Sequence, residues 1–349
     1  MGILIWLYAP FCGRAHIEKP VTGWYKRPMQ IHHVTILGLT RTTCSIGLIL
    51  RQLFHGEGLV VGHSPHEADV KQALALDALD QTPKNWRDTL AQTDLLIIDW
   101  PAPDLETLYR EIGFRLRPET LVLDFSRLKS PVYQLAQAHL KSRKFIGVAP
   151  LLAANQLANG ATTLAAATPK LFAGSHFCLV AHPTTTQETL DQAIAFGRLL
   201  GAEPTFADPW EYDGLMQMTE LLPILSAAAI FQTASRSEGW EDVGRFAGLT
   251  FAGTTNALDQ YQEAIWMVAQ NQTAILPLLD NLVTHLQQLR HLITQDDAAA
   301  LPNWLNPLSQ THARWLQKRL TSHPGEPDLL DEVQDRNFLR QLFTFKRRH

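Results

Sequence analysis

Between Ile31 and about Ala207 the chain alternates short, continuous apolar runs with longer stretches of helical periodicity. No other feature of the sequence constrains the fold so strongly. Val34-Thr35-Ile36-Leu37, Leu59–Gly62, Leu95–Ile98, Leu121–Leu123, Phe145–Val148 and Phe177–Val180 read as strands. Ser45–Phe54, Glu67–Leu76, Leu105–Ile112, Val132–Leu140 and Gln187–Leu200 read as the helices between and after them. A strand that is apolar at successive positions is buried on both faces, so helices must cover each side of its sheet. The pattern predicts a doubly wound parallel α/β sheet.

After Asp208-Pro209 the strand signals stop, and helical periodicity alone continues to about Ile293. The tail from Pro302 to His349 adds two amphipathic pieces, divided near Pro324-Gly325-Glu326-Pro327. The expected organisation is a dinucleotide-type domain over 29–208 and an all-helical substrate and dimerisation domain over 209–349. Residues 1–28 fit neither and are expected to be a disordered leader or to precede the true start at Met29. The helical half is expected to bury an apolar face against a second copy, giving a homodimer.

Composition excludes several classes of function. With 30 basic and 34 acidic residues the net charge is -4, so no basic field exists to attract nucleic acid. The early apolar run Ile3–Ala9 stops at Pro10, far short of the roughly 20 residues of a membrane span. Cys12, Cys44 and Cys178 are odd in number and lack ligand spacing, so neither a disulfide framework nor a metal site is expected. They point to a reducing cytoplasm.

The first strand leads into Gly38-Leu39-Thr40-Arg41-Thr42-Thr43-Cys44-Ser45, where dinucleotide folds carry G-x-G-x-x-G. Gly38 fills the first glycine position, whereas Thr40 and Thr43 stand at the second and third. A Cβ at the second position crowds the pyrophosphate. In exchange, Thr40, Thr42, Thr43 and Ser45 offer hydroxyl donors, Arg41 a charge, and the helix N-terminus its N–H groups. The same residues also read as a plain strand-to-helix connection. The second strand ends Gly62-His63-Ser64-Pro65-His66 with no acid at its tip. A carboxylate there would select NAD; its absence, with Ser64 and the imidazoles of His63 and His66 at hand, leans towards NADP over NAD. His63 and His66 read equally as exposed loop residues.

Taken in order, these segments resemble the prephenate and arogenate dehydrogenase family over roughly residues 31–280. Ser45-Ile46-Gly47-Leu48 is similar to the family's first helix start, and Asp94–Pro101 to its fourth strand with the terminal Pro101. Asp124 and Lys129 match the family's Asp-x-x-Ser-x-Lys, with Arg127 at the serine position. Leu199–Ala202, Trp210–Asp213 and Glu220–Pro223 are similar to the domain junction and the first long helix. The resemblance implies a Rossmann-type NAD(P)-dependent oxidoreductase of tyrosine biosynthesis. Its reaction removes a hydride from the ring carbinol while the ring carboxylate leaves as carbon dioxide.

The resemblance also exposes departures. The family's His-Pro pair after the sixth strand is Ala149-Pro150, the histidine after the helix proline is Ile224, and the Phe-Arg arginine aligns with Ala252. These residues neither move a proton nor hold a carboxylate. Lys129 and Asp124 are the remaining catalytic candidates, with Asp124 expected to cap the following helix or orient Lys129. Arg127 and Arg245 are candidate substrate cations, though Arg127 also reads as a solvated loop charge. His182 is expected to be structural, with His176 at the opposite end of its strand. The alternative reading is a catalytically degenerate relative that senses a nucleotide or binds a partner. A β-hydroxyacid dehydrogenase or imine reductase shares the architecture, but the Lys-x-x-x-Asn pair of that group is not found here.

Overall fold

The computed structural model describes residues 31–140, 144–153, 155–156 and 163–321. The leader assigned to 1–28 and the tail piece after Pro324 lie outside the described residues. Seven strands form one sheet in the order β2-β1-β3-β4-β5-β6-β7. They are β1 (His33–Leu37), β2 (Leu59–His63), β3 (Leu95–Ile98), β4 (Leu121–Asp124), β5 (Phe145–Leu151), β6 (His176–Val180) and β7 (Glu203–Ala207). The helices among them are α1 (Arg41–Phe54), α2 (Glu67–Ala75), α3 (Leu105–Gly113), α4 (Lys129–His139) and α5 (Gln187–Leu199).

Continuous apolar strands produce two cores. Leu95, Leu96, Ile97 and Ile98 are all fully buried, and their side chains alternate between the faces. Val34, Ile36 and Ile97 pack with Ile46 and Leu50 of α1 and with Phe196 of α5. Leu37, Leu96 and Ile98 pack with Leu108 and Ile112 of α3 and with Val132 of α4. The chain direction of the sheet's strand order reverses at β1, which puts the ends of β1 and β3 at the crevice where such sheets bind ligands.

The sheet departs from the sequence expectation in two places. β6 runs antiparallel to β5, pairing Leu151 with His176 and Gly147 with Val180. His176 therefore stands at the ligand-binding end of the sheet, and His182 at the other end, the reverse of the expected arrangement. There His182 stacks on Tyr133, ring centroids 5.0 Å apart. β7 carries no continuous apolar run: it is a partly exposed edge strand that opens with Glu203-Pro204, so hydrophobic patterning does not reveal it. α1 also starts four residues before the expected Ser45, because Thr40 and Thr43 form a reciprocal capping box.

The second half is helical: α6 (Pro209–Met216), a π-helical turn Gln217–Leu221, α7 (Leu222–Ser235), α8 (Trp240–Phe246), α9 (Leu249–Thr255), α10 (Tyr261–Gln270), α11 (Gln272–Thr294) and α12 (Ala300–Thr321). The run Pro209–Ser235 has a mean hydropathy of 1.4 and could span a membrane by length and composition alone. Its polar residues nevertheless bind the sheet domain. Asp213 accepts from the backbone N–H of Lys129 at 2.5 Å and of Ser130 at 2.9 Å, capping α4 from the neighbouring domain. Asp124 was the expected cap and does not serve as one. Removing this cap costs about 1–2 kcal/mol. Asp213→Ala should lower the thermal midpoint by about 2–8 °C; an unchanged midpoint in a calorimetric scan would show that the cap contributes nothing.

Candidate active site

The carboxyl ends of β1, β2, β3 and β4 border a cleft of about 250 Å³, which the helical domain closes with Glu263. Gly38 makes its tight entry. Its φ is +95, and a Cβ there would lie 1.8 Å from the Asp99 carbonyl oxygen. Only glycine allows the turn to approach the end of β3 so closely. Thr40 then caps α1: its hydroxyl accepts from the N–H of Thr43 at 3.3 Å and donates to Asp99 Oδ2 at 2.7 Å. The Thr43 hydroxyl accepts from the N–H of Thr40 at 2.9 Å and donates to the Gly38 carbonyl at 2.8 Å.

This local wiring corrects the expected roles of the turn hydroxyls. The hydrogens of Thr40 and Thr43 are already committed to Asp99 and Gly38. Ser45 is buried, donates to the Arg41 carbonyl at 2.7 Å and accepts from the N–H of Thr168 at 3.0 Å. Arg41 reaches across to Gln156 Oε1 at 2.6 Å and to the Ala166 carbonyl at 3.3 Å. These groups brace the turn against the segment between β5 and β6. α1 meets the cleft through its N-cap, Thr40, and the turn Gly38-Leu39 before it.

At the tip of β2 the picture also changes. Ser64 is buried and donates to Asp69 Oδ2 at 2.9 Å, so a carboxylate from the first turn of α2 reaches the cleft. His63 stacks against both Trp86 and Trp100, with ring centroids 6.1 and 5.9 Å away, and the two tryptophans also touch each other. Burial, with Arg87 nearby, holds its imidazole below the usual range. These rings wall a second cavity of about 290 Å³, which joins the first across Pro65 and Trp100. Pro101 lines the first cavity.

Lys129 and Asp124 lie behind the cleft, not in it. Lys129 is fully buried, and its ammonium donates to the carbonyls of Asp124 at 2.9 Å, Ser126 at 2.5 Å and Val148 at 2.9 Å. Three hydrogens meet three acceptors. Gly147 makes the space, since a Cβ there would meet Lys129 Cδ at 2.7 Å. Asp124, also fully buried, accepts from Tyr109 Oη at 2.7 Å and from the N–H and hydroxyl of Ser126 at 2.9 and 3.1 Å. Burial pushes the Asp124 carboxyl up and the Lys129 ammonium down, and each opposes the other's shift through its charge.

Arg127 does line the cleft, but it is already paired. It bonds to Glu220 and Gln260 of the helical domain and lies 3.8 Å from Glu263, which also accepts from the N–H of Ala102 at 3.1 Å. The solvated-loop reading of Arg127 is therefore replaced by an interdomain clamp. Arg245 stands apart on the exposed α8, paired with Asp242 at 3.3 Å. Ala149 packs with Cys178, Val180 and Tyr212, and Ile224 with Leu128, Ala264 and Met267. Ala252 is exposed on α9. Among the described residues no group of three or more potential metal ligands occurs.

Sequence reasoning passed over Asp99 and Asp69 as site residues. Asp99 sits one residue beyond an apolar strand, which was its only signal. Its carboxyl is pushed up to about 6, chiefly by burial, against the Thr40 hydrogen bond and the Arg127 charge. Between about pH 4 and pH 6 the folded chain thus holds a proton that the unfolded chain releases, and stability falls as pH rises through that window. Asp99→Asn keeps an acceptor for Thr40 but carries no charge. Its thermal midpoint should exceed that of the wild type at pH 7.5 and converge with it near pH 4; a gap independent of pH would contradict the shift.

Both halves of the chain match models of one family. The model described as prephenate dehydrogenase, nucleotide-binding domain, matches residues 46–204, and that described as prephenate dehydrogenase, dimerization domain, matches 208–307. The first match opens beyond the threonine-substituted turn. No curated protein matches the chain. Among solved structures, Synechocystis arogenate dehydrogenase is 21% identical with a TM-score of 0.57, covering 81% of this chain and 99% of its own. Prephenate dehydrogenase from A. aeolicus, in complex with hydroxyphenyl propionate and NAD+, is 17% identical with a TM-score of 0.68, covering 82% and 99%. A putative prephenate dehydrogenase from Corynebacterium glutamicum is 17% identical with a TM-score of 0.62, covering 89% and 97%. These likenesses show the fold, and the matches to both domain models show the family: the chain belongs to the prephenate dehydrogenase family.

Proposed function

We propose that the protein is a homodimeric, NAD(P)-dependent oxidoreductase of the prephenate or arogenate dehydrogenase type, acting in the cytoplasm in tyrosine biosynthesis. The observation that carries this reading is the cleft itself. It runs along the strand ends at the switch point, from Ser64 past Gly38 to Ser126, with the N-terminus of α1 opening onto it. A dinucleotide fits these residues: Gly38 keeps the turn tight, the start of α1 suits phosphate, and the Trp100 wall suits a base. The Asp99 carboxylate, bonded to Thr40 in the turn, opposes the diphosphate, and it does so less when protonated. When bound, the cofactor supplies the hydride acceptor.

The chain's own residues then divide the remaining work. Lys129, Asp124 and Asp213 position the ends of β4 and β5 and the start of α4 against the helical domain, without touching substrate. Arg127 is the cation at the cleft and binds a substrate carboxylate by exchanging it for Glu220 or Glu263. Arg245 has no place in this cleft. Dimerisation draws on the helical domain, where Phe246 and Leu249 are 90% and 93% exposed. The described thiols, Cys44 and Cys178, are buried and unpaired, as suits a reducing compartment.

A second reading is favoured by one specific observation. The residues at the family's two histidine positions, Ala149 and Ile224, carry no base and pack against hydrophobic neighbours. On that reading the protein keeps the scaffold and the nucleotide but has lost the reaction, acting as a sensor or partner-binding relative.

The two readings part in one experiment. The purified chain is titrated calorimetrically with NAD and NADP and then supplied with prephenate and with arogenate. The first reading expects micromolar binding of a dinucleotide and turnover slowed by about 10²–10⁴-fold through the missing base. Binding with no turnover of either substrate selects the second reading. No binding of either dinucleotide up to millimolar concentration contradicts both.

A further inference from the structure

The sequence shows no acid at the tip of β2, but the folded chain brings one there. α2 turns back immediately after His66, so that Asp69, five residues beyond Ser64, presents its carboxylate to the cleft. The position is built, not incidental. Ser64 is buried and donates its only hydroxyl hydrogen to Asp69 Oδ2 at 2.9 Å, and its oxygen accepts from the N–H of His66 at 3.2 Å. Asp69 Oδ1 has no partner among the described residues. The carboxylate therefore has one oxygen fixed by the protein and one turned to whatever enters the cleft.

The surroundings fix what that ligand is. Asp69 and the turn at Gly38 line one cleft, which shares Pro65 and Trp100 with the cavity walled by Trp86 and Trp100. A dinucleotide whose base occupies the walled cavity and whose diphosphate meets the N-terminus of α1 has its adenosine ribose beside Asp69. A carboxylate accepts the two ribose hydroxyls of NAD and repels the added phosphate of NADP. Most groups that could receive that phosphate are committed elsewhere, which leaves the exposed His66 imidazole on the cleft wall beside the Asp69 carboxylate. The Ser64 hydrogen goes to Asp69, His63 is held below its usual protonation range against the tryptophan pair, and Arg87 is paired with Glu111 while lying over Trp86.

We infer that Asp69, oriented by Ser64, is the residue that reads the adenosine ribose and makes the cleft select NAD over NADP. The inference rests on the dinucleotide-binding reading above but not on turnover. It reverses the lean towards NADP drawn from the β2 tip alone, because the selecting acid arrives from a helix and not from the strand.

The test is calorimetric titration of the full chain with NAD and with NADP, for the wild type, Asp69→Asn and Ser64→Ala. The wild type should bind NAD about tenfold or more tightly than NADP, the usual scale for a hydrogen bond to a charged group. Asp69→Asn, which preserves size and the Ser64 contact, should bring the two affinities within about threefold of each other, mainly by strengthening NADP. Ser64→Ala should narrow the ratio in the same direction. Circular dichroism melts establish that each variant is folded. Equal or tighter binding of NADP by the wild type overturns the inference and leaves the oxidoreductase reading standing, as does an Asp69→Asn ratio equal to that of the wild type. Binding of neither dinucleotide overturns both.

Discussion

The ammonium of Lys129 is the point on which the site's architecture depends. It is fully buried and sits where the carbonyl ends of β4, β5 and the loop before α4 converge. Its three hydrogens go to three buried acceptors, and a hydrogen bond from a charged donor is worth about 1.5–3 kcal/mol. Gly147 leaves the room, Asp124 supplies the counter-charge 3.9 Å away, and Asp213 caps the helix that Lys129 begins. One side chain thereby ties the interior strands β4 and β5 to the start of α4, where the helical domain is seated.

The front of the cleft is held by a different set of bonds. Thr40 joins a capping box with Thr43 and binds Asp99, so the start of α1 is satisfied within the protein. Arg127, at a serine position of the family motif, is drawn into a clamp with Glu220, Gln260 and Glu263. Ala149 and Ile224 add apolar packing on either side of the domain junction. The cleft that remains is shaped for a nucleotide but is more acidic than a diphosphate site ordinarily is, with Asp69, Asp99 and Glu263 around it.

Much of this was legible in the sequence. The continuous apolar strands dictated the wound sheet, and the loss of strand signals after Asp208 marked the helical half. Gly38, Asp124 and Lys129 could be placed by spacing and resemblance. What escaped has physical reasons. β7 is an edge strand with too little burial to leave an apolar pattern. The antiparallel turn of β6 has no local signature, so His176 and His182 were assigned to the wrong ends. A cap supplied from another domain, as by Asp213 to α4, leaves no mark at the helix it caps. Asp69 and Asp99 acquire their meaning only from Ser64 and Thr40, which the fold brings beside them.

The most direct test of this account is a crystal structure of the chain grown with NAD near pH 5.5, where Asp99 is largely protonated. The account predicts the diphosphate against the N-terminus of α1 and the base on the Trp100 wall. A nucleotide bound elsewhere on the chain, or a cleft that stays empty at saturating NAD with the Thr40–Asp99 bond intact, would contradict it.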